Sequence, residues 1–155
     1  MSEAFPREIR GVMIPVSGGR LLLPNATVAE VISYTIPEKV DNAPDWLLGR
    51  LPWRGWRLPL VSFSILSGLS PTENVANAKV AVLKALGGNA KLPFVALLAQ
   101  GFPRLTTITP EALISTGSED ALALGVRAHV LVRTDHAVVP DLHTIEGMVA
   151  EAIAA

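Results

Sequence analysis

Apolar residues in this chain come in runs of about four to eight, each closed by glycine, proline or asparagine. A chain punctuated this way has room for short strands and almost none for long helices. Gly11 to Val16 and Arg20 to Leu23 flank Ser17-Gly18-Gly19, which predicts a hairpin. Thr27 to Tyr34 is rich in β-branched residues and predicts a further strand or a bent pair. Lys79 to Leu86 and Leu92 to Leu98 bracket Gly87-Gly88-Asn89, and Val126 to Val132 and Ala137 to Val139 bracket Arg133 to His136; both read as hairpins. Leu105 to Ile108 reads as extended, Thr109-Pro110-Glu111 as a helical turn or loop, and Ser115 to Asp120 as a polar turn. Helical periodicity appears once, at the end. Leu142, Ile145, Val149 and Ile153 share one helical face, Asp141 is placed to cap it, and Gly147 weakens it. The expected class is all-β, as a sandwich or as two small barrels side by side, with a C-terminal helix.

The central stretch, Trp46 to Phe63, concentrates the unusual chemistry. It holds all three tryptophans, Trp46, Trp53 and Trp56, interleaved with Arg50, Arg54 and Arg57. Arg54-Gly55 predicts a tight turn at an edge strand, with Gly55 supplying positive φ and Arg54 on the exposed shoulder. Arg57 to Leu66 then leads out of the turn as a strand-like run. Three readings stay open for these side chains. Indoles can fill the core while arginines reach solvent. Aromatics and arginines can bind single-stranded nucleic acid by stacking and phosphate contact. Trp and Arg are also the residues enriched at protein interfaces.

Composition separates some of these possibilities. The 155 residues suit one domain or two small subdomains sharing a core. A net charge of −1 lacks the basic excess of a nucleic-acid binder. The 50% hydrophobic content exceeds what one small core normally takes up, which points either to an exposed partner surface or to a large core. No run reaches the ~18 apolar residues of a membrane span, and the start of the chain is acidic where a signal peptide is basic, so a cytoplasmic protein is expected. Zero cysteines rule out disulfide and thiolate chemistry.

Catalytic constellations are missing. His129, His136 and His143 lack the spacing of paired metal ligands. There is no nucleophile elbow, phosphate loop or dinucleotide fingerprint. Glu111, Glu119, Asp120, Asp135 and Asp141 lie near turns or element ends, where acids cap or solvate. The expectation is a non-enzyme with no cofactor and no metal.

One ordered set of residues resembles a known family. Leu23-Pro24, Val28, Glu30-Val31-Ile32, Pro44, Gly49, Arg54-Gly55 and Pro59-Leu60-Val61 follow the pattern of the first half of CheW-like domains. Lys79 to Lys84, Pro93 to Leu98, Val126 to Val132 and Ala137 to Leu142 resemble its later strands. There are departures. Ser62 stands where the family has Asp, Ala99-Gln100-Gly101 replaces Val-Asp, and Trp53 and Trp56 flank the Arg-Gly. They make the chain most similar to divergent members, such as those of chemosensory clusters controlling type IV pilus twitching.

The resemblance implies two SH3-like five-stranded β-barrels sharing a core. The expected subdomains are about 9–68 and about 75–141, with a linker over Ser67 to Asn77 and a helix over about 142–154. It also implies a non-catalytic adaptor in a two-component chemotaxis system, coupling chemoreceptors to a CheA-type histidine kinase at membrane-associated arrays. The implied partners are the kinase regulatory domain and the helical tip of a receptor, with no nucleic acid and no membrane insertion. The implied interface residues are Arg54 and Gly55 of the Arg-Gly motif and Val28, Glu30 and Val31 beside a receptor groove, with Gly49 and Pro59 shaping the barrel. Trp53, Trp56 and Arg57 join them from the Trp/Arg stretch. The alternative is a small β-barrel binding single-stranded nucleic acid through Trp53, Trp56, Arg54 and Arg57.

Overall fold

The computed structural model describes residues 9–88, 90–109, 113–116 and 122–154. Among these residues, eleven strands and two α-helices follow one another, with a 3-10 turn at Asn25–Thr27 between the second and third strands. They are β1 Ile9–Val16, β2 Gly19–Pro24, β3 Val28–Ser33, β4 Leu47–Trp53, β5 Trp56–Val61, α1 Phe63–Ser67, β6 Lys79–Lys84, β7 Phe94–Ala99, β8 Arg104–Ile108, β9 Leu113–Thr116, β10 Val126–Val132, β11 Asp135–Pro140 and α2 Leu142–Ala154.

The strands form two sheets, β8-β1-β2-β11-β10-β9 and β3-β6-β7-β5-β4. The strands of the smaller sheet, β3 to β7, are consecutive and lie in the chain between those of the larger. The first hairpin, β1–β2, belongs with the last, β10–β11, through a parallel contact at Leu21 and Val138. A second parallel contact, Leu60 with Ala96 and Val61 with Leu97, joins β5 to β7. The division at the 67–77 linker therefore does not separate the sheets: β6 and β7 lie beyond it yet pair with β3 and β5.

Neither sheet closes. Among the described residues one has six strands rather than five, and both end in edge strands, at β8 and β9 and at β3 and β4. The larger sheet curls far enough for the Arg133 guanidinium, in the β10–β11 turn, to donate to the Thr107 carbonyl of β8 at 2.9 Å. Side chains thus bridge what a hydrogen-bond ladder would have to close.

Three apolar clusters explain the composition. Met13, Leu22, Ile108, Val130, Val132 and Ala137 fill the curl of the larger sheet. Leu51, Trp53, Leu58, Leu60, Val80, Val82, Ala96 and Leu98 fill that of the smaller. The largest cluster lies between the sheets and under α2, and joins Val12, Ile14, Leu21, Phe63, Leu83, Leu97, Ile145 and Val149. Several strands are buried on both faces. In β7, Val95 and Leu97 enter the shared core while Ala96 and Leu98 enter the smaller sheet's own. That is why these runs read as continuously apolar. The hydrophobic surplus is spent largely on a double-sided core.

Local corrections have local causes. The run from Arg57 to Leu66 is not one strand: β5 stops at Val61 and α1 follows, because the Ser62 hydroxyl accepts from the Ile65 amide and Gly68, at φ 85°, ends the turn. Ser115 and Thr116 belong to β9, so the polar turn expected from 115 does not start there, and its remainder lies outside the described residues, as do Pro110, Glu111 and Asn89. His136 sits in β11 rather than in the turn, which is confined to Arg133-Thr134. β5, which contains Pro59, is an interior strand, not an edge. It is tolerated because pairing to β7 begins only at Leu60. The Asp141 cap forms as expected, its carboxylate accepting from the Thr144 amide at 3.2 Å and hydroxyl at 2.8 Å.

Candidate functional site

β4 and β5 are antiparallel with Trp53 opposite Trp56, leaving Arg54-Gly55 as a two-residue connection. Both turn residues have positive φ, 47° at Arg54 and 82° at Gly55. This is the type I′ geometry whose twist matches a right-twisted hairpin. Glycine supplies its half freely, and the arginine is held in the left-handed region by the closed hairpin.

Cross-strand partners share a face, so Trp53 and Trp56 both point toward the mouth of the smaller sheet's core. Trp53 is buried and meets Phe94 edge-on, with ring centroids 4.9 Å apart. Trp56 is 42% exposed. Trp46 lies partly buried against the shared core.

β3 brings a carboxylate to this corner. It pairs with β6, and a register irregularity between Val28 and Glu30 re-aims the strand there. The Trp53 Nε1–H donates to Glu30 Oε1 at 2.9 Å. Arg54 Nη2 donates to the same oxygen at 3.1 Å. The Arg54 guanidinium also lies over the Trp53 ring, 4.9 Å from its centroid. Glu30, Trp53 and Arg54 therefore form one contact unit, with Gly55 making the turn. Val28 and Val31 are half-buried on the same edge strand. Arg57 stands slightly apart, paired with Glu38.

Glu38 is a residue that sequence reasoning passed over. Its amide and carbonyl exchange hydrogen bonds with the Arg50 carbonyl and amide at 2.9 and 2.8 Å, docking the β3–β4 connector onto the β4 edge. Gly49 makes that approach possible. At φ 145°, its absent side chain leaves room for the Glu38 carbonyl, which a Cβ would meet at 2.4 Å.

An open groove of about 420 Å³ lies beside this connector, lined among others by Tyr34, Ile36, Leu48, Ile65 and Val75, with Lys39 and Glu73 as its charges. None of the eight expected interface residues lines it. Its most prominent marker is Ile36, 88% exposed, the lone large aliphatic between Thr35 and Pro37.

The geometry bears on the nucleic-acid alternative. Base stacking needs open aromatic faces and free cations. Here Trp53 is buried with its N–H engaged, and Arg54 and Arg57 each face a carboxylate. Among the described residues no group of His, Asp and Glu could hold a metal ion, and no helix is long and apolar enough to cross a membrane.

Comparison with known proteins adds three findings. The family model described as "CheW-like domain" matches residues 10–146. No curated protein sequence matches. Among solved structures, the scaffolding protein TtCheW from Thermoanaerobacter tengcongensis superposes with a TM-score of 0.73 at 14% identity, over 92% of this chain and 90% of that one. The shared architecture is a pair of SH3-like subdomains with a C-terminal helix, its sheets left open in this chain.

Proposed function

This chain belongs to the CheW-like domain family, and from that premise we propose that it is a non-catalytic scaffold coupling chemoreceptors to a CheA-type histidine kinase. The family match and the likeness to a scaffolding protein support an adaptor role in chemosensory arrays. One observation carries the finer reading. Glu30 and Arg54, which match separate motifs of the family pattern, meet at 3.1 Å on the surface of one hairpin corner. An exposed ion pair contributes little to stability, from 0 to about 1 kcal/mol. Its value lies in presenting a fixed charge to a partner.

In this reading Arg54, Glu30 and the exposed Trp56 contact the partner, with Arg57 beside them and Gly55 setting the turn. Val28 and Val31 supply apolar contact along β3. The kinase regulatory domain and the receptor's helical tip are the partners, and through them the protein joins an array at the membrane.

Calorimetric titration with the regulatory domain of the cognate kinase and with a receptor signalling tip tests this. Saturable micromolar binding is expected, weakened at least about tenfold by Arg54→Glu, since loss of one well-placed interface charge costs on the order of 1.4 kcal/mol or more. The melting temperature should change little, because the Arg54 side chain is 69% exposed. Unfolding of Arg54→Glu would make the residue structural, and absence of binding to either partner would remove the coupling role.

A further inference from the structure

We infer that Trp53 is a positioning residue: through its indole N–H and its ring face it locks the Glu30–Arg54 pair into the single geometry that a partner meets. The inference rests on the adaptor reading for what the pair is used for, but not for whether the pair is locked.

The argument begins with how such pairs normally behave. The side chains of Arg54 and Glu30 are 69% and 38% exposed. Arginine and glutamate at that exposure sample many rotamers, and a partner must freeze them on binding at a cost in side-chain entropy. Trp53 differs from both. It is 9% exposed, sits in the same cluster as Leu51, Leu58 and Val82, and is braced edge-on by Phe94. It is part of the rigid core, yet its one polar atom reaches the surface.

That atom donates to Glu30 Oε1 at 2.9 Å, the oxygen that also accepts from Arg54 Nη2 at 3.1 Å. Glu30 is thus tethered from below by the indole and from above by the guanidinium. Arg54 is held at two points, the carboxylate and the ring 4.9 Å beneath it. The turn fixes its root at φ 47°. A leucine or phenylalanine at position 53 would keep apolar contact in the core, with less bulk, and would bring no donor. Only tryptophan combines that bulk with a donor at the rim and a face suited to a cation.

The test separates positioning from packing. Replacing residue 53 by benzothienylalanine keeps the indole's shape and removes the N–H, and Trp53→Phe serves as the genetically simpler version. In the free protein, the Arg54 Nη2–H should give a resolved, ordered NMR signal that is lost or averaged in either variant while the fold stays cooperative. In titrations with the kinase regulatory domain, each variant should bind about three- to tenfold more weakly than the parent. Against an Arg54→Met background, where no pair is left to lock, the same replacement should have a smaller effect, limited to releasing Glu30 from the indole.

An Arg54 side chain as ordered in the variants as in the parent overturns the inference. So does a loss of affinity that persists undiminished in Arg54→Met, since it would then arise from packing alone. If the parent protein binds no kinase domain, the adaptor reading falls while the NMR comparison still decides whether Trp53 locks the pair.

Discussion

Glu73 lies in the 67–77 linker, and its carboxylate collects donors from three different parts of the chain. Ser17 Oγ donates to it at 2.6 Å, Ser62 Oγ at 2.5 Å and Gln100 Nε2 at 3.1 Å. Ser62 and Gln100 fall among the residues read from the sequence as departures from the CheW-like pattern. One carboxylate from the linker fills the space between them. Hydrogen bonds to a charged group contribute about 1.5–3 kcal/mol each when well formed. Glu73→Ala should therefore lower unfolding free energy by roughly 2–3 kcal/mol in a denaturant titration, far more than a solvated linker acid warrants. That residues 68–77 form neither helix nor strand was legible from their Ser, Gly, Pro and Asn content. The role of Glu73 was not, because its donors lie 56, 11 and 27 positions away. Asp141 was legible, since a cap and the helix it starts are neighbours. The Thr144 hydroxyl and amide hold its carboxyl below the ordinary value of 3.8, with Arg127 and His143 assisting and burial opposing. A depressed folded pKa contributes stability that is complete above the unfolded value and fades as pH falls through the folded one. Asp141→Ala should cost about 1 kcal/mol at neutral pH. The gap to the parent in thermal melts should narrow below about pH 4, the range of an unperturbed carboxyl.

Among the elements, α2 shows how a terminal helix is held. Ile145 and Val149 are buried in the shared core, as the helical spacing predicted. Glu146 adds a polar clamp: its two carboxylate oxygens accept from the Leu86 and Gly87 amides, both at 2.7 Å, fixing the loop after β6. Glu146→Ala improves intrinsic helix propensity, yet it leaves two amides without their partner. A net loss of about 1–3 kcal/mol is expected in chemical denaturation, together with faster hydrogen exchange at Leu86 and Gly87. Strands of both hairpin types were readable because β-branched runs and glycine turns act locally. Helix α1 was not. Its five residues are too few to show a period, and only the Ser62 cap and Gly68 mark it. The type I′ corner was readable as a turn. That it presses an indole, a carboxylate and a guanidinium together was not, since Glu30 arrives from a strand 23 residues before Trp53.

At the scale of the molecule, sequence order and spatial order part company. Two sequential barrels were the natural reading of a chain with hairpins in both halves. Two SH3-like subdomains are present, with open sheets, but they do not follow the two halves of the chain: β1–β2 pairs with β10–β11 and β8, while β3 to β7 form the other sheet from a contiguous segment. Which hairpins join is decided by apolar faces that must meet, such as Leu21 with Val138, and no local signal records it. This arrangement has a consequence for how the protein is born. As the chain leaves the ribosome, the segment from β3 to β7 can assemble as soon as it is out. The first hairpin cannot. Its partner strands β10 and β11 emerge roughly a hundred residues later, on the order of 10 s at typical synthesis rates. Through that interval the nascent chain lacks the cover for the face of β1 and β2 that turns into the larger sheet's curl, Met13 and Leu22 among it. Within this fold, β1 and β2 are thus made before the strands that complete their sheet, and a chain cut short before β10 leaves that face exposed to chaperones and proteases.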